Sequence, residues 1–110
     1  MTGKKGQLLR IYVSEDDKKD GKPLYQWLVL EAKKMGLAGA TVIRGMEGFG
    51  ASSQVHTAKV LRLSIDLPVI VEIVDLAEKI EVFMPIVDEA VGQGLATLEE
   101  VDIRFYCGKA

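Results

Sequence analysis

The sequence predicts an α+β fold in which one antiparallel sheet carries two helices on the same face. Several short segments alternate apolar and polar residues, which is typical of half-buried strands. Two longer segments repeat their apolar residues at helical spacing, so each predicted helix has one apolar stripe to bury. The chain has 110 residues, 48% hydrophobic and 27% charged, and therefore suits a single folded domain spanning residues 1–110.

The first half of the chain is predicted to run strand, helix, strand. Pro23 suits the first turn of a helix because its missing N–H is not needed there, and Gly36 is a typical C-terminal stop. The charged residues before this helix favour a solvated loop. The predicted elements are a strand at 7–13, a loop at 14–22, a helix at 23–36 and a strand at 40–46.

The second half repeats this order after a glycine-rich loop. Asp75 is placed to cap a second helix, with Glu78 three residues later as its partner. Pro85 lies inside that helix and is expected to kink it. The predicted elements are strand segments at 59–64 and 69–74, a helix between Asp75 and Gly92, and a strand at 97–106.

Together these elements match the ferredoxin-like βαββαβ pattern. Each helix has one apolar stripe, so both are expected to cover the same face of the sheet, with Val101, Ile103 and Phe105 of the last strand pointing inward. The other face is too polar for a second core and too aromatic for open water, which favours an oligomer interface over a solvated surface. That face is predicted to present Arg10, Tyr12, Arg62, Glu72, Arg104 and Tyr106.

Charge and composition exclude several classes of protein. A net charge of −2 with interspersed signs argues against nucleic-acid binding, which normally shows a basic patch. The most apolar stretch, 67–77, is interrupted by Pro68, Glu72 and Asp75, so a membrane-embedded protein is not expected. The first residues lack the apolar segment of a secretory signal. A single cysteine, Cys107, excludes an internal disulfide. We therefore expect a cytoplasmic protein.

The segment 45–57 is the clearest candidate for a binding loop. Closely spaced glycines allow successive backbone N–H groups to converge on an anion, and serine hydroxyls and an arginine fork add donors. The alternative is a tight glycine-rich turn that only shapes the edge of an assembly. The candidate anion-binding residues are Arg44, Gly45, Gly48, Phe49, Gly50, Ser52, Ser53, His56 and Arg62.

Neither a catalytic residue nor a metal site is expected. The lysine of a phosphate-binding P-loop does not follow the glycines, and the nucleophile-elbow and zinc-protease motifs do not occur. His56 is the only histidine, and its sequence neighbours include neither a carboxylate to orient it as a general base nor further zinc ligands. We expect it to hydrogen-bond the backbone or a ligand.

Six short motifs follow one another in the order LAGATVIRG (37–45), GFG (48–50), VHTA (55–58), LRLS (61–64), DLP (66–68) and EIVD (72–75). Their succession resembles the prokaryotic family known as domain of unknown function 190, a branch of the PII-like proteins. The resemblance implies a ferredoxin-like subunit, a homotrimer, and ligand sites in the clefts between subunits. PII proteins sense adenine nucleotides and relay the result to a transporter, an enzyme or a regulator.

Two glycine-rich elements carry the resemblance to the PII ligand site. The motif at 48–50 and the later His56-Thr57 resemble the start of the PII loop, with one extra residue between them. Gly92 and Gly94 lie where PII proteins have a second glycine-rich loop, which adds both glycines to the candidate site. PII proteins carry a phosphate-binding lysine there, whereas here no lysine follows before Lys109. This difference favours a nucleotide with fewer phosphates than ATP.

The sequence thus predicts a PII-like regulatory protein without a resident cofactor. A homotrimer would bind a small anionic effector, an adenine nucleotide such as AMP or ADP, between its subunits. It would relay that state to a protein partner such as a transporter or an enzyme. Two alternatives remain open, namely a trimer linked by a divalent metal, resembling the cation-tolerance proteins, and a trimeric scaffold without a ligand.

Overall fold

The chain folds into long strands interleaved with two helices. A computed structural model describes residues 2–48, 56–57 and 67–108. Neither helix in these residues combines the length and the apolar character needed to cross a membrane. The elements are β1 (Thr2–Ser14), β2 (Lys18–Lys19), β3 (Lys22–Pro23), α1 (Leu24–Lys34), β4 (Gly39–Arg44), β5 (Glu47–Gly48), β6 (His56–Thr57), β7 (Pro68–Leu76), α2 (Ala77–Ala90) and β8 (Leu95–Phe105).

The four long strands form one antiparallel sheet in the order β4-β7-β1-β8. Helix α1 packs on β4 and β7, helix α2 packs on β1 and β7, and both contribute to a single core. The two helices therefore cover the same face of the sheet. This strand order is that of the ferredoxin-like βαββαβ pattern, and the predicted fold class is confirmed. Two smaller sheets pair β2 with β3 and β5 with β6.

The core lies between the sheet and the helices. The alternate apolar side chains of β1 and β7 are buried, as predicted, and the register places Leu9 opposite Ile73 and Ile11 opposite Val71. Burying each such side chain fully stabilises the fold by about 1.5–3 kcal/mol, so hydrophobic packing holds the helices on this face. The helices contribute Leu24, Leu28, Ala32, Ile80, Phe83 and Val87.

Both ends of α1 follow from local chain chemistry. Pro23 is the N-cap residue, and the helix begins at Leu24, one residue later than the sequence predicts. At the other end, Gly36 adopts a left-handed φ of +74°. The N–H of Leu37 then donates to the carbonyl of Ala32 at 3.1 Å, the long hydrogen bond of a Schellman motif. Gly36 thus ends the helix as predicted.

The charged run 14–22 is not entirely a loop, and the prediction is wrong in part. Strands β2 and β3 form a short hairpin with Lys18 opposite Pro23. Asp20 and Gly21 make its turn, with φ values of +52° and +79°. An Asp-Gly pair is a strong hairpin signal because a tight two-residue turn requires positive φ at both positions.

Asp75 does not cap α2, so the predicted capping box is wrong. Strand β7 continues through Asp75, and Leu76 is the N-cap residue without a side-chain capping hydrogen bond. The Asp75 carboxylate instead accepts the N–H of Leu76 at 2.6 Å and the N–H of Ala38 at 2.9 Å. The strand extends this far because β1 pairs with it up to Leu76. Pro85 lies inside α2, as predicted.

The predicted inward face of the last strand is wrong in part: Ile103 is buried as expected, but the register contradicts the face as a whole. The register places Thr97 opposite Arg10 and Val101 opposite Gly6. Directly opposed residues share a face, so the odd-numbered residues of β8 lie on the helix-free side of the sheet. Phe105, expected to point inward, is 72% exposed. Arg104 lies on the opposite face from Arg10, and Tyr106 follows the end of the strand. Alternation identifies two faces, but only pairing decides which one meets the helices.

Two other strand predictions have different outcomes. The strand predicted at 40–46 is shorter, because β4 ends at Arg44. The strand predicted at 59–64 lies outside the described residues. Cys107 follows β8 and is exposed.

Candidate functional site

The candidate site residues that the structure describes lie at one end of the sheet, which we call the loop end. It is the end where β1 and β4 finish and β7 and β8 begin, because neighbouring strands are antiparallel. The glycine-rich segment at 45–48 leaves β4 here, and the segment at 92–94 enters β8 here. The topology therefore brings both predicted loops to the same end of the molecule.

Arg44, the last residue of β4, makes an ion pair with Glu15. Its Nη2 donates to Oε1 of Glu15, which directly follows the end of β1. The Arg44 side chain is 62% exposed, whereas that of Glu15 is only 17% exposed. The guanidinium thus lies near the surface and the carboxylate beneath it. Arg44 is positioned to meet an anion, but a carboxylate already occupies one of its donors.

Gly45 and Gly48 both pack against the ring of Pro68. A Cβ added at Gly45 would lie 2.8 Å from Pro68 Cγ, and one at Gly48 would lie 3.3 Å from the same atom. The N–H of Gly45 donates to the Pro68 carbonyl at 2.7 Å. These glycines therefore allow the base of the loop to lie close to the start of β7, and the Gly45 N–H is engaged in that contact.

The other glycine segment lies beside the opposite edge strand. A Cβ at Gly94 would lie 2.8 Å from the Tyr12 carbonyl oxygen, whereas none of the surrounding atoms comes within 4 Å of one at Gly92. Gly94 thus serves the close approach of β8 to β1, while Gly92 faces open space. A shallow groove of ≈ 220 Å³ adjoins this segment and is lined by Val87, Asp88, Val91, Gly94, Leu95 and Ala96.

A single copy of the chain does not bring the two glycine segments together. They border β4 and β8, which are the two edges of the sheet. Three interstrand spacings of about 4.8 Å separate these edges, or roughly 14 Å in total. Within one copy, the two glycine segments therefore do not form a single compact site.

His56 is placed at the base of the predicted loop by backbone pairing. In the small sheet formed by β5 and β6, His56 pairs with Gly48, and Thr57 pairs with Glu47. The two ends of the loop predicted at 45–57 therefore pair with each other. The remaining candidates lie outside the described residues: Phe49, Gly50, Ser52, Ser53 and Arg62.

The helix-free face of the sheet carries a charge network within an apolar surface. Arg10 donates to Glu72 and to Glu99, each at 2.9 Å. The hydrogen bond to Glu72, followed by that to Glu99, raises the pKa of Arg10 above its ordinary value. Ile43 of β4 and Leu95 of β8 are exposed large apolar residues on the same face. Arg10, Tyr12 and Glu72 share this face, as predicted, since the register places Tyr12 opposite Ile70 and Arg10 opposite Glu72.

Sequence reasoning missed Glu15, which lies within the charged run interpreted as a solvated loop. The available signal was the alternation of β1, because Glu15 continues the inward series of Ile11 and Val13 by one further step. For Glu99, only the register shows that its side chain reaches Arg10. Among residues 2–48, 56–57 and 67–108, no three His, Cys, Asp or Glu side chains come together as metal ligands would.

Comparison with known proteins identifies relatives over nearly the whole chain. Residues 6–103 match the DUF190 family, described as Uncharacterized ACR, COG1993. A UPF0166 protein of Aquifex aeolicus is 45% identical over 103 residues, covering 92% of this chain and 95% of the relative. A UPF0166 protein of Methanocaldococcus jannaschii is 38% identical over 106 residues, covering 96% and 95%. These matches leave only short terminal segments of the chain unaligned.

Solved structures with the same fold include CPII, a nitrogen regulatory PII-like protein from Thiomonas intermedia K12. Its structure bound to ADP, AMP and bicarbonate has a TM-score of 0.62 at 13% identity, covering 93% of this chain and 91% of that one. Its structure bound to ADP and bicarbonate has a TM-score of 0.60 at 15% identity, with the same coverage. At this level of identity the likeness concerns the fold, which is PII-like.

Proposed function

This chain belongs to the DUF190 family, and on that premise we propose that it is a PII-like, non-enzymatic regulatory protein of the cytoplasm. It binds a small anionic effector, an adenine nucleotide such as AMP or ADP, in the clefts between the subunits of a homotrimer. It relays the occupancy of these clefts to a protein partner, such as a transporter or an enzyme.

One observation carries this proposal: both glycine-rich segments reach the loop end, but at opposite edges of the sheet. A cyclic assembly in which the β4 edge of one copy approaches the β8 edge of the next brings the segments together. Arg44 then lies on one side of the cleft, and Gly92 and the adjoining groove lie on the other. The CPII structures, which share this fold, contain ADP and AMP and thereby support the choice of ligand.

The helix-free face supports the proposed assembly. It combines the ion pairs of Arg10 with exposed apolar side chains such as Ile43 and Leu95. Burying charges that are already paired within one subunit costs less free energy than burying unpaired charges. A face of this composition is therefore suited to contact other copies of the chain.

The relay requires that the effector bind one state of the loop more tightly than another. In this proposal the loop 45–57 changes position on binding, and its backbone N–H groups converge on the phosphate only in the closed state. The free energy of nucleotide binding then favours the closed loop, and the partner protein distinguishes the closed loop from the open one.

Isothermal titration of the full chain with AMP, ADP and ATP tests the proposal, with light scattering on a sizing column measuring the mass of the assembly. We expect a trimer that binds AMP or ADP saturably, and binds them more tightly than ATP. GMP serves as the control for the base. The proposal fails if none of these adenine nucleotides binds at millimolar concentration, or if the protein is monomeric.

A further inference from the structure

We propose that Glu15 is an internal competitor of the effector, so that an anionic ligand engages Arg44 by displacing the Glu15 carboxylate. This inference rests on the proposed function, because it concerns the regulation of the same site. It assigns to Glu15 an inhibitory role that keeps Arg44 occupied when the effector is absent.

The backbone holds the two side chains on either side of the start of β7. The N–H of Glu15 donates to the Leu67 carbonyl at 2.9 Å, and the N–H of Gly45 donates to the Pro68 carbonyl at 2.7 Å. Arg44 itself lies opposite Val69 in the register. The pair is therefore anchored through the consecutive residues Leu67 and Pro68, at the start of β7.

Exposure makes Arg44 the partner that a ligand can reach. Its side chain is mostly exposed, and of its five donor hydrogens, one on Nη2 serves the contact with Glu15. A guanidinium binds phosphate best when two of its N–H groups donate side by side to two oxygens. A phosphate that uses a fork containing the engaged Nη2 donor thus competes with Glu15 for that donor.

The burial of the Glu15 carboxylate raises the free energy that a ligand must supply to displace it. Its second oxygen, Oε2, is buried and accepts no hydrogen bond from the described residues. Arg44 is the cation that compensates this largely buried carboxylate. If a phosphate takes Arg44, Glu15 is left as a buried charge without its counter-ion, which is unfavourable. Glu15 therefore lowers the affinity for an effector that takes the Nη2 donor of Arg44.

Titration of the full-length protein with AMP at fixed ionic strength tests the inference. In Glu15→Gln the side chain keeps its shape but loses its charge, and we expect the Kd for AMP to fall by about two- to fivefold, the factor that corresponds to a partly exposed ion pair. Asp16→Asn is the matched control, because this exposed neighbour undergoes the same change of charge. Its Kd is expected to stay within a factor of about 1.5 of wild type.

A double-mutant cycle assigns the effect to Arg44. In an Arg44→Gln background, which we expect to bind AMP more weakly, Glu15→Gln should leave the Kd unchanged. Thermal unfolding and sizing of each variant show whether fold and assembly are intact. If Glu15→Gln folds poorly, Glu15→Ala is tested against the same control.

The outcomes separate this inference from the proposed function. Wild-type binding of AMP that Glu15→Gln leaves unchanged overturns the inference alone. Weaker binding by Glu15→Gln also overturns it, because Glu15 would then hold Arg44 in place for the ligand. An equal gain in affinity from Asp16→Asn shows only a general charge effect and likewise contradicts it. If wild-type protein binds neither AMP nor ADP, both the proposed function and the inference fail.

Discussion

The buried carboxylate of Asp75 accepts the backbone N–H of Ala38 at 2.9 Å and thereby ties the α1–β4 connection to the end of β7. Asp75 is only 1% exposed, and its second oxygen accepts the N–H of Leu76 at 2.6 Å. One side chain thus satisfies two backbone donors at the end of the sheet opposite the loop end. Because β4 begins directly after this contact, Asp75 helps to position the strand that ends in Arg44.

Replacing Asp75 with alanine is expected to destabilise the fold. The partly buried N–H groups of Ala38 and Leu76 would lose their acceptor, which costs about 1–3 kcal/mol. Urea unfolding followed by circular dichroism measures the change in the free energy of unfolding. Asp88→Ala, an exposed aspartate on α2, is the control and should change that free energy by less than about 0.5 kcal/mol. Equal stability of Asp75→Ala and wild type would contradict this role.

The two glycines before β8 are expected to respond differently to the same substitution. In Gly94→Ala the added Cβ would lie 2.8 Å from the Tyr12 carbonyl oxygen, so the backbone must shift. We expect a loss of about 1–3 kcal/mol, as for other overpacked sites. In Gly92→Ala the added Cβ would have no neighbour among the described residues within 4 Å, so this variant should have the same unfolding midpoint as wild type. Thermal unfolding of the pair checks this expectation, and indistinguishable midpoints would refute it.

Reversing the charge of Arg10 is expected to disrupt the assembly. Arg10→Glu would place a third carboxylate beside Glu72 and Glu99 on the helix-free face, and like charges in an interface are strongly unfavourable. Light scattering on a sizing column should then give the mass of a monomer.

Lys5→Glu is the matched control for this charge reversal. Lys5 is paired with Asp102 at 2.7 Å, and this hydrogen bond raises the pKa of Lys5, but both side chains are well exposed. Lys5 also shares its face with Leu9, on the helix-bearing side. This variant should keep the wild-type mass. If Arg10→Glu remains trimeric and folded, the helix-free face is not the interface.

Local sequence patterns were sufficient to predict most elements of the fold. Pro23 and Gly36 delimit α1 because the backbone restrictions of proline and glycine act within a single turn. The inward series of Leu9 and Ile11 is readable because burial of one face enforces a period of two. Asp75 was misinterpreted because an aspartate before a helix is also compatible with the end of a strand. Only the pairing of β7 with β1 distinguishes these two possibilities.

The candidate site was less accessible from the sequence, since its main contact joins residues that lie far apart along the chain. Arg44 was a candidate for its charge and its place beside the glycines, but Glu15 was hidden within a run of charged residues. The pair exists because the sheet places β1 and β4 on either side of β7. Gly45 and Gly94 were predicted from the sequence as ligand-binding residues. The structure shows that both also allow close packing of the backbone, which spacing along the chain does not reveal.

The order of the elements, the apolar faces of β1 and β7 and the family could be read from the amino-acid sequence, because these depend on local periodicity and on motifs. The folded chain was needed to show which face β8 presents, that Glu15 pairs with Arg44, and that the two glycine segments lie on opposite edges of the sheet. Those relationships depend on strand order and register, which are set by long-range pairing and side-chain packing rather than by local preference.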